Sequence, residues 1–405
     1  MSTIKVNAIQ HTSANGSNMT LFANGNVAMT TANTTLTVGS TTISNSGISV
    51  AGNAINPFGG MRNRIINGDM RIDQRNAGAS VTPSSGVTYF LDRWHLNLAQ
   101  SSKVSIQQNA GSVTPPAGFS NYVGITSLSS YSIVSGDYHT IRQSIEGYNI
   151  ADLAWGTSSA KTITVSFWVR SSLTGTFGGS LNNSDYSRTY AFTYTISSAN
   201  TWTYITITIP GDTTGTWSTT NSTGIHIGFQ LGTGSSYTTT AGSWVGATYL
   251  GATGATSVIG TSGATFYLTG VQLEAGTVAT PFEFRQYGQE LLLCKRYYWQ
   301  IVTGTSLDLM LNGSNYQSNQ WESVVTYPVE MRAVPSITFT AASTFYHRTT
   351  TTSPTTTSYY YTDTTLARSQ ILIYFVYSGL TQGQAGIMCN KGPTYAAGIY
   401  FNAEL

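Results

Sequence analysis

Apolar and polar side chains alternate with a period of two along much of the chain. In Thr162 to Arg170, Ile163, Val165, Phe167 and Val169 fall on one side; Ile205, Ile207 and Ile209 do the same, and Ile225, Ile227, Phe229 and Leu231 mark a third such face. Strands with one apolar face, joined by loops rich in Gly, Ser and Thr, predict an antiparallel β-sandwich of jelly-roll type over residues 61–279. Helical spacing is confined to one stretch, where Tyr287, Leu291, Cys294 and Tyr298 share a stripe and predict a linker helix within 280–299. Just before it, Phe266 and Leu268 alternate in one phase and Val271 and Leu273 in the other. The strand there is expected to pass through a bulge at Gly270 before Thr280-Pro281 turns the chain.

Residues 300–405 read as a second, C-terminal β-sandwich domain. Ile371 to Tyr377 is apolar on both faces, as in a strand buried on both sides, and Ile399, Phe401, Ala403 and Leu405 align on one face of a final strand. Thr349 to Thr365, with its Thr run and Pro354, reads as an exposed loop that ends in Tyr359, Tyr360 and Tyr361. Ahead of the sandwich, residues 1–60 hold a single charged side chain, Lys5, while Met29, Leu36, Ile43 and Val50 recur every seven residues. Helix formers and flanking charges are missing and β-branched Thr dominates, so short strands are expected rather than a coiled coil, with Asn24-Gly25 as a hairpin turn. So few apolar side chains cannot build a private core. Their stripe is expected to face copies from other subunits or a docking protein, making this a trimerising and anchoring segment; the alternative is a disordered Thr/Ser-rich leader.

Composition narrows the function classes. At 405 residues the chain has room for two or three domains, yet only 8% of it is charged, against roughly 25% in an ordinary soluble domain. A neutral, hydroxyl-rich surface with strong β-propensity is safest when its strand edges are closed in an assembly, so an obligate oligomer is expected. A net charge of +2 argues against nucleic-acid or membrane partners. No apolar run approaches the roughly 18 residues of a membrane span, and Met1 to Gln10 lacks a signal peptide's hydrophobic segment. Cys294 and Cys389 are expected to be buried free thiols.

The outward positions of the strands carry candidate chemistry. Trp168 and Arg170 share one outward face, Trp202 and Tyr204 another, and His226 and Gln230 a third. An aromatic ring offers its face to the C–H side of a sugar, while Arg, His and Gln can hydrogen-bond the hydroxyls around it, which is the chemistry of a glycan site. Trp217, Tyr237 and Trp244 in loops add to this set, and the Tyr359–Tyr361 segment has the composition of an adaptable recognition surface. For the sheet and loop residues the alternative is packing, under a loop or at a subunit contact, and for Tyr359–Tyr361 it is a strand edge whose tyrosines alternate between core and solvent.

Catalysis finds little support. Glycan cleavage needs two carboxylates roughly 5 to 9.5 Å apart, whereas Asp212 alone lies between Tyr186 and Leu273. The close pairs, Asp69 with Asp73 and Glu283 with Glu290, fall in the domain entrance and the linker, where Glu290 reads as a helix-start carboxylate. The five histidines have no metal-ligand spacing, and neither a G-x-S-x-G elbow nor a P-loop is present. No catalytic residue, cofactor or metal is expected.

The run GVQLEAGTVATPFEFRQYGQELLLCKRYYW, Gly270 to Trp299, resembles a segment of bacteriophage tail fibres and related virion proteins that joins a carbohydrate-binding-module-like sandwich to a C-terminal β-domain. NRIINGDMRIDQ with FLDRWH resembles the sandwich entrance, and the closing IYFNAEL resembles the family's last strand. The opening MSTIKVNAIQ is similar to structural proteins of phages of marine cyanobacteria. The resemblance implies a non-enzymatic homotrimeric tail fibre, located in the virion after synthesis in the bacterial cytoplasm. Residues 1–60 would hold other virion proteins, and the distal β-domain would meet host-surface polysaccharide or lipopolysaccharide. The alternatives are a purely structural capsid decoration, head fibre or tail adaptor, and a glycan-degrading tailspike. Related modules carry a structural calcium near the entrance, on an acidic residue shortly after Asn-Gly; here Arg71 follows Asn67-Gly68-Asp69-Met70, a departure that puts the ligand set in doubt.

Overall fold

The computed structural model describes residues 62–303, 309–348, 368–377, 379–390 and 396–405, together with the backbone of short strands between Ala8 and Ala54 and of Ser358–Thr362. Within these residues the protein is all-β, with one α-helix and a few 3-10 turns. The strands of the N-terminal segment form an antiparallel trio, in which Met19–Leu21 pairs with Val27–Met29, and a four-stranded meander from Leu36 to Ala54. Asn24-Gly25 lies outside the described residues, as do the side chains of this segment.

The larger module is a two-sheet antiparallel sandwich. Its strands are β1 (Gly86–Leu91), β2 (Trp94–Leu98), β3 (Val104–Gln108), β4 (Val123–Ser127), β5 (Tyr138–Glu146), β6 (Ile163–Ser171), β7 (Gly175–Asn182), β8 (Thr189–Ile196), β9 (Thr203–Ile209), β10 (Thr223–Thr233), β11 (Trp244–Val245) and β12 (Thr265–Ala275). One sheet has five strands in the order β3-β4-β12-β6-β9; the other has seven in the order β11-β8-β7-β10-β5-β2-β1. The period-two faces meet between them. Phe167 of β6 packs edge-on against Phe229 of β10 at 5.0 Å and Tyr194 of β8 at 5.1 Å, and Ile163, Val165, Val169, Ile225, Ile227 and Leu231 are all fully buried. The expected bulge is at Gly270, whose φ of +62° accompanies a register shift between β12 and β6 at Ser166/Trp168. A Cβ at Gly270 would lie 2.7 Å from the Phe119 ring, so glycine is required twice over, for the conformation and for the space.

Helix α1 (Tyr287–Lys295) is shorter than its apolar stripe suggested. Tyr298 already belongs to a strand, Tyr287 is 58% exposed, and the buried positions are Glu290 and Cys294. The inner face keeps Leu291 and Cys294 of the stripe and adds a buried carboxylate. Glu290 accepts from the Asn67 amide and from Arg285 instead of simply meeting the helix dipole, because the guanidinium beneath it compensates the charge. Cys294 and Cys389 are free and buried.

The C-terminal module contains β13 (Tyr298–Val302), β14 (Leu309–Gln317), β15 (Gln320–Thr326), β16 (Ser336–Phe339), β17 (Phe345–Arg348), β18 (Ser358–Thr362), β19 (Gln370–Val376), β20 (Ala385–Asn390) and β21 (Gly398–Asn402). They form a three-stranded sheet, β13-β21-β16, and a six-stranded one, β17-β20-β14-β15-β19-β18. Two-sided burial of Ile371–Tyr377 is not observed. Ile371, Ile373, Phe375 and Tyr377 are buried, whereas the alternate positions are half-buried, so one face of β19 is only partly covered. Tyr359–Tyr361, read as the end of a loop with an edge strand as the alternative, lie in β18, an edge strand paired with β19, in line with that alternative. Residues 349–357 and 363–365, the remainder of that Thr-rich stretch, lie outside the described residues, as do the three tyrosine side chains.

The scarce charges gather where the two modules meet. Glu146 at the end of β5 accepts from Nε and Nη2 of Arg296, at 2.9 and 2.6 Å, and from the Tyr297 hydroxyl. Glu404 takes Arg75 at 3.0 Å and also the fully buried Arg93, whose guanidinium lies 3.5 Å from the centre of the Tyr297 ring. Arg75 stacks on Tyr298 at 3.7 Å. Arg332 donates to the carbonyls of Ala403 and Asn221, tying the last segment to the sandwich. These partners come from distant points of the sequence, 150 residues apart for Glu146 and Arg296 and 329 for Arg75 and Glu404.

Candidate functional site

Trp168, Arg170 and Tyr204 stand on the outer face of the five-stranded sheet, and the β6–β9 register sets Trp168 directly beside Tyr204 with ring centroids 5.2 Å apart. These two rings form one wall of an open cleft of about 410 Å³. The opposite wall is Phe119, Phe282 and Phe284, which pack on one another at 4.8 to 5.2 Å, and Ala117, Ser166, Gly270, Ala279, Thr280 and Pro281 complete the lining. Tyr204 and Phe284 are 43% and 53% exposed, so the aromatic surface faces solvent. Among the described residues no carboxylate lines the cleft. Its chemistry is that of a slot between ring faces with hydroxyls at hand, suited to gripping a flat, hydroxylated ring.

Sequence reading missed the phenylalanine wall. Phe282 and Phe284 belong to the T-P-F-E-F run read as a linker, and Phe119 lies in a Pro/Gly loop, so none carries strand periodicity. The signal available was the spacing of two phenylalanines straight after a strand-ending Thr-Pro.

The remaining candidates are distributed elsewhere. Arg170 lies 5.0 Å over the Tyr267 ring and donates to the Asn200 carbonyl. Trp202, on the same sheet face, tucks its indole against Tyr122 at 5.8 Å and donates to the Thr114 carbonyl. Trp217 and Trp244 join Trp155 in a triad with centroid spacings of 4.7 to 5.4 Å, and all three indole N–H groups reach backbone carbonyls. Tyr237 meets Tyr138 edge-on at 5.4 Å. His226 and Gln230 do point outward from β10, but on the other sheet and under loops, at 7% and 2% exposure. His226 stacks on Tyr186 and shares a hydrogen bond with Ser144, and burial, then Arg142, push its pKa down to about 3. Gln230 accepts from the Ala252 amide. Loop cover, which strand alternation cannot foresee, removes both from the solvent face.

The carboxylate pairs also have structural partners. Glu283 and Glu290 both grip Arg285, Asp69 pairs with Arg71 at 3.1 Å, and Asp73 accepts the amides of Asn76 and Gly78. Burial raises the Asp69 pKa, partly offset by Arg71. Among the described residues no group of three His, Cys, Asp or Glu is placed to hold a metal ion.

Fold and site together define an all-β protein whose larger module is a two-sheet sandwich with a solvent-facing aromatic cleft. No protein-family profile matches the chain, and no curated protein is similar to it. Among solved structures, it is similar to the enzymatically active domain of bacteriophage CBA120 tailspike protein 4, at 12% identity and a TM-score of 0.30, over 53% of this chain and 21% of that one. It is similar to a CBM4 module at 14% identity and TM-score 0.26, over 52% of this chain and 98% of the module. A third is TmCBM61, solved with β-1,4-galactotriose, at 11% identity and TM-score 0.27, over 53% and 99%. The chain thus spans about a fifth of the tailspike domain.

Proposed function

We propose that this protein is a non-catalytic, glycan-binding virion component, a homotrimeric tail fibre that recognises host-surface polysaccharide through the cleft between Trp168–Tyr204 and Phe119–Phe282–Phe284. The single observation that carries the binding role is the cleft itself: solvent-facing rings on both walls, hydroxyls alongside, and no carboxylate in the lining. The phage assignment rests on the resemblance of Gly270–Trp299, NRIINGDMRIDQ and IYFNAEL to tail-fibre segments. Three identical clefts would multiply weak single contacts through avidity. The test is a glycan array probed with the purified protein beside Trp168→Ala and Tyr204→Ala variants, with mass in solution measured in parallel. Binding to at least one polysaccharide by a three-chain species, weakened in both variants, is expected. A trimer that binds no glycan would favour the structural head-fibre or adaptor role, and turnover of a polysaccharide would favour a tailspike.

A further inference from the structure

The outer face of the seven-stranded sheet, opposite the cleft, holds a guanidinium with no counter-ion. Arg142, at the middle of β5, is 1% exposed and makes no ion pair among the described residues. Its Nη2 donates to Asn182 Oδ1 at 2.7 Å and its Nη1 to the Tyr186 hydroxyl at 3.1 Å, while Nε has no partner. Sheet register aligns His95, Arg142, Gly228 and Ser180 in one row across four strands. Gly228 lets the guanidinium lie close against the strand: a Cβ there would stand 3.2 Å from Arg142 Nε. His95 Nδ1 and Thr140 Oγ1, on the same face, are also buried without a partner.

Over this row sits Tyr186. Its ring stacks on His226 at 4.6 Å, the Arg142 guanidinium lies 4.9 Å from its centre, and its backbone takes a φ of +60° in the turn between β7 and β8. The ring is half-buried, so it separates the row from solvent. Asp185, next to it on the cap, is held by Ser187 and faces away into exposure.

A lone buried cation costs several kcal/mol, and two neutral acceptors with one aromatic face offset only part of that. Arg142 is thus charged, desolvated and left with an unused N–H on the edge where a guanidinium grips a carboxylate or phosphate side-on. We propose that the Arg142 row is a second ligand site, taking the oxyanion of an acidic sugar, with Tyr186 as its displaceable cap. The incoming oxyanion takes the Nε–H and the free Nη2 proton, His95 and Thr140 supply further hydrogen bonds, and Tyr186 swings out on its turn. The cleft on the five-stranded sheet reads neutral ring faces; this site reads charge, and the two are independent.

The experiment is calorimetric titration of the full chain with galacturonate, its methyl ester, glucose 6-phosphate, glucose and inorganic phosphate, for the parent, Tyr186→Ala and Arg142→Lys. One or both acidic sugars should bind, and the one that binds identifies the oxyanion as carboxylate or phosphate. The methyl ester and glucose should be at least about tenfold weaker, Tyr186→Ala about threefold tighter, and Arg142→Lys about tenfold weaker. Should Arg142→Lys fail to fold, phenylglyoxal labelling read by mass spectrometry decides: Arg142 reacts slowly in the parent, faster in Tyr186→Ala, and slowly again with the acidic sugar present. The proposal is overturned if neither the parent nor Tyr186→Ala prefers an acidic sugar to its neutral counterpart, if inorganic phosphate binds as well as the sugars, or if affinity survives Arg142→Lys.

Discussion

Replacing Glu404 by Gln tests how the modules are joined. Glu404 is the sole carboxylate paired with Arg93 and Arg75 among the described residues, its side chain is 5% exposed and that of Arg93 1%. Arg93 also donates to the Ser144 carbonyl and lies on Tyr297, so the guanidinium cannot leave when its partner is neutralised. Breaking a buried pair by removing one partner costs about 3–5 kcal/mol, because the remaining charge stays desolvated. At about 2–4 °C per kcal/mol for a unit of 150–250 residues, this corresponds to a loss of roughly 6–20 °C in melting temperature. The assay is near-ultraviolet circular dichroism on heating, with limited proteolysis to find cuts that separate the modules. The same measurement on Arg93→Met and on the double variant closes a cycle in which the double variant should recover about 2 kcal/mol relative to the sum of the singles. A Glu404→Gln protein melting within about 2 °C of the parent, with additive singles, would refute the reasoning.

Other outcomes follow from the same geometry. Gly270→Ala should cost about 1–3 kcal/mol and weaken glycan binding, since its Cβ meets Phe119 and Trp168; thermal melts and array signal check both. Trp217→Ala should destabilise the sandwich by about 3–5 kcal/mol while a folded fraction binds glycan normally, because Trp217 belongs to the buried triad and not to the cleft. Burial pushes His226 down to about 3 and His347 to about 4 and lowers His95 and His139; the unfolded chain therefore binds more protons below about pH 6.5, and stability should fall on acidification from there toward pH 4. Asp92 works the other way: burial raises its pKa to about 7, so it costs stability as pH rises from about 4 to 7, and melting curves of Asp92→Asn against pH should lack that component. Thiol titration should find Cys294 and Cys389 unreactive until the chain unfolds.

How much of this could be read from the residues depends on what each signal encodes. The sheets were legible because the apolar side chains that alternate along β6, β9 and β10 all pack into the core between them, and the Gly270 bulge because the alternation changes phase there. The helix was misjudged at its inner face, since an apolar stripe cannot show that Glu290 is buried against Arg285. Trp168 and Tyr204 were legible as outward aromatics, but that they share one cleft depends on strand order, and the facing wall of Phe119, Phe282 and Phe284 comes from loops. His226 and Gln230 alternate outward as read, yet loop cover decides their exposure. The charged junction was invisible because its members lie far apart along the chain and look scattered until folded.

That junction has a further consequence when the surrounding salt concentration changes. Attraction between exposed ions fades once dissolved salt shortens the Debye length to about 8 Å or less, but pairs sheltered from solvent are screened far less. With Glu146 and Glu404 almost fully enclosed, the angle between the two halves should be the same in brine as in dilute buffer, and what the surface chemistry loses in salt the hinge does not.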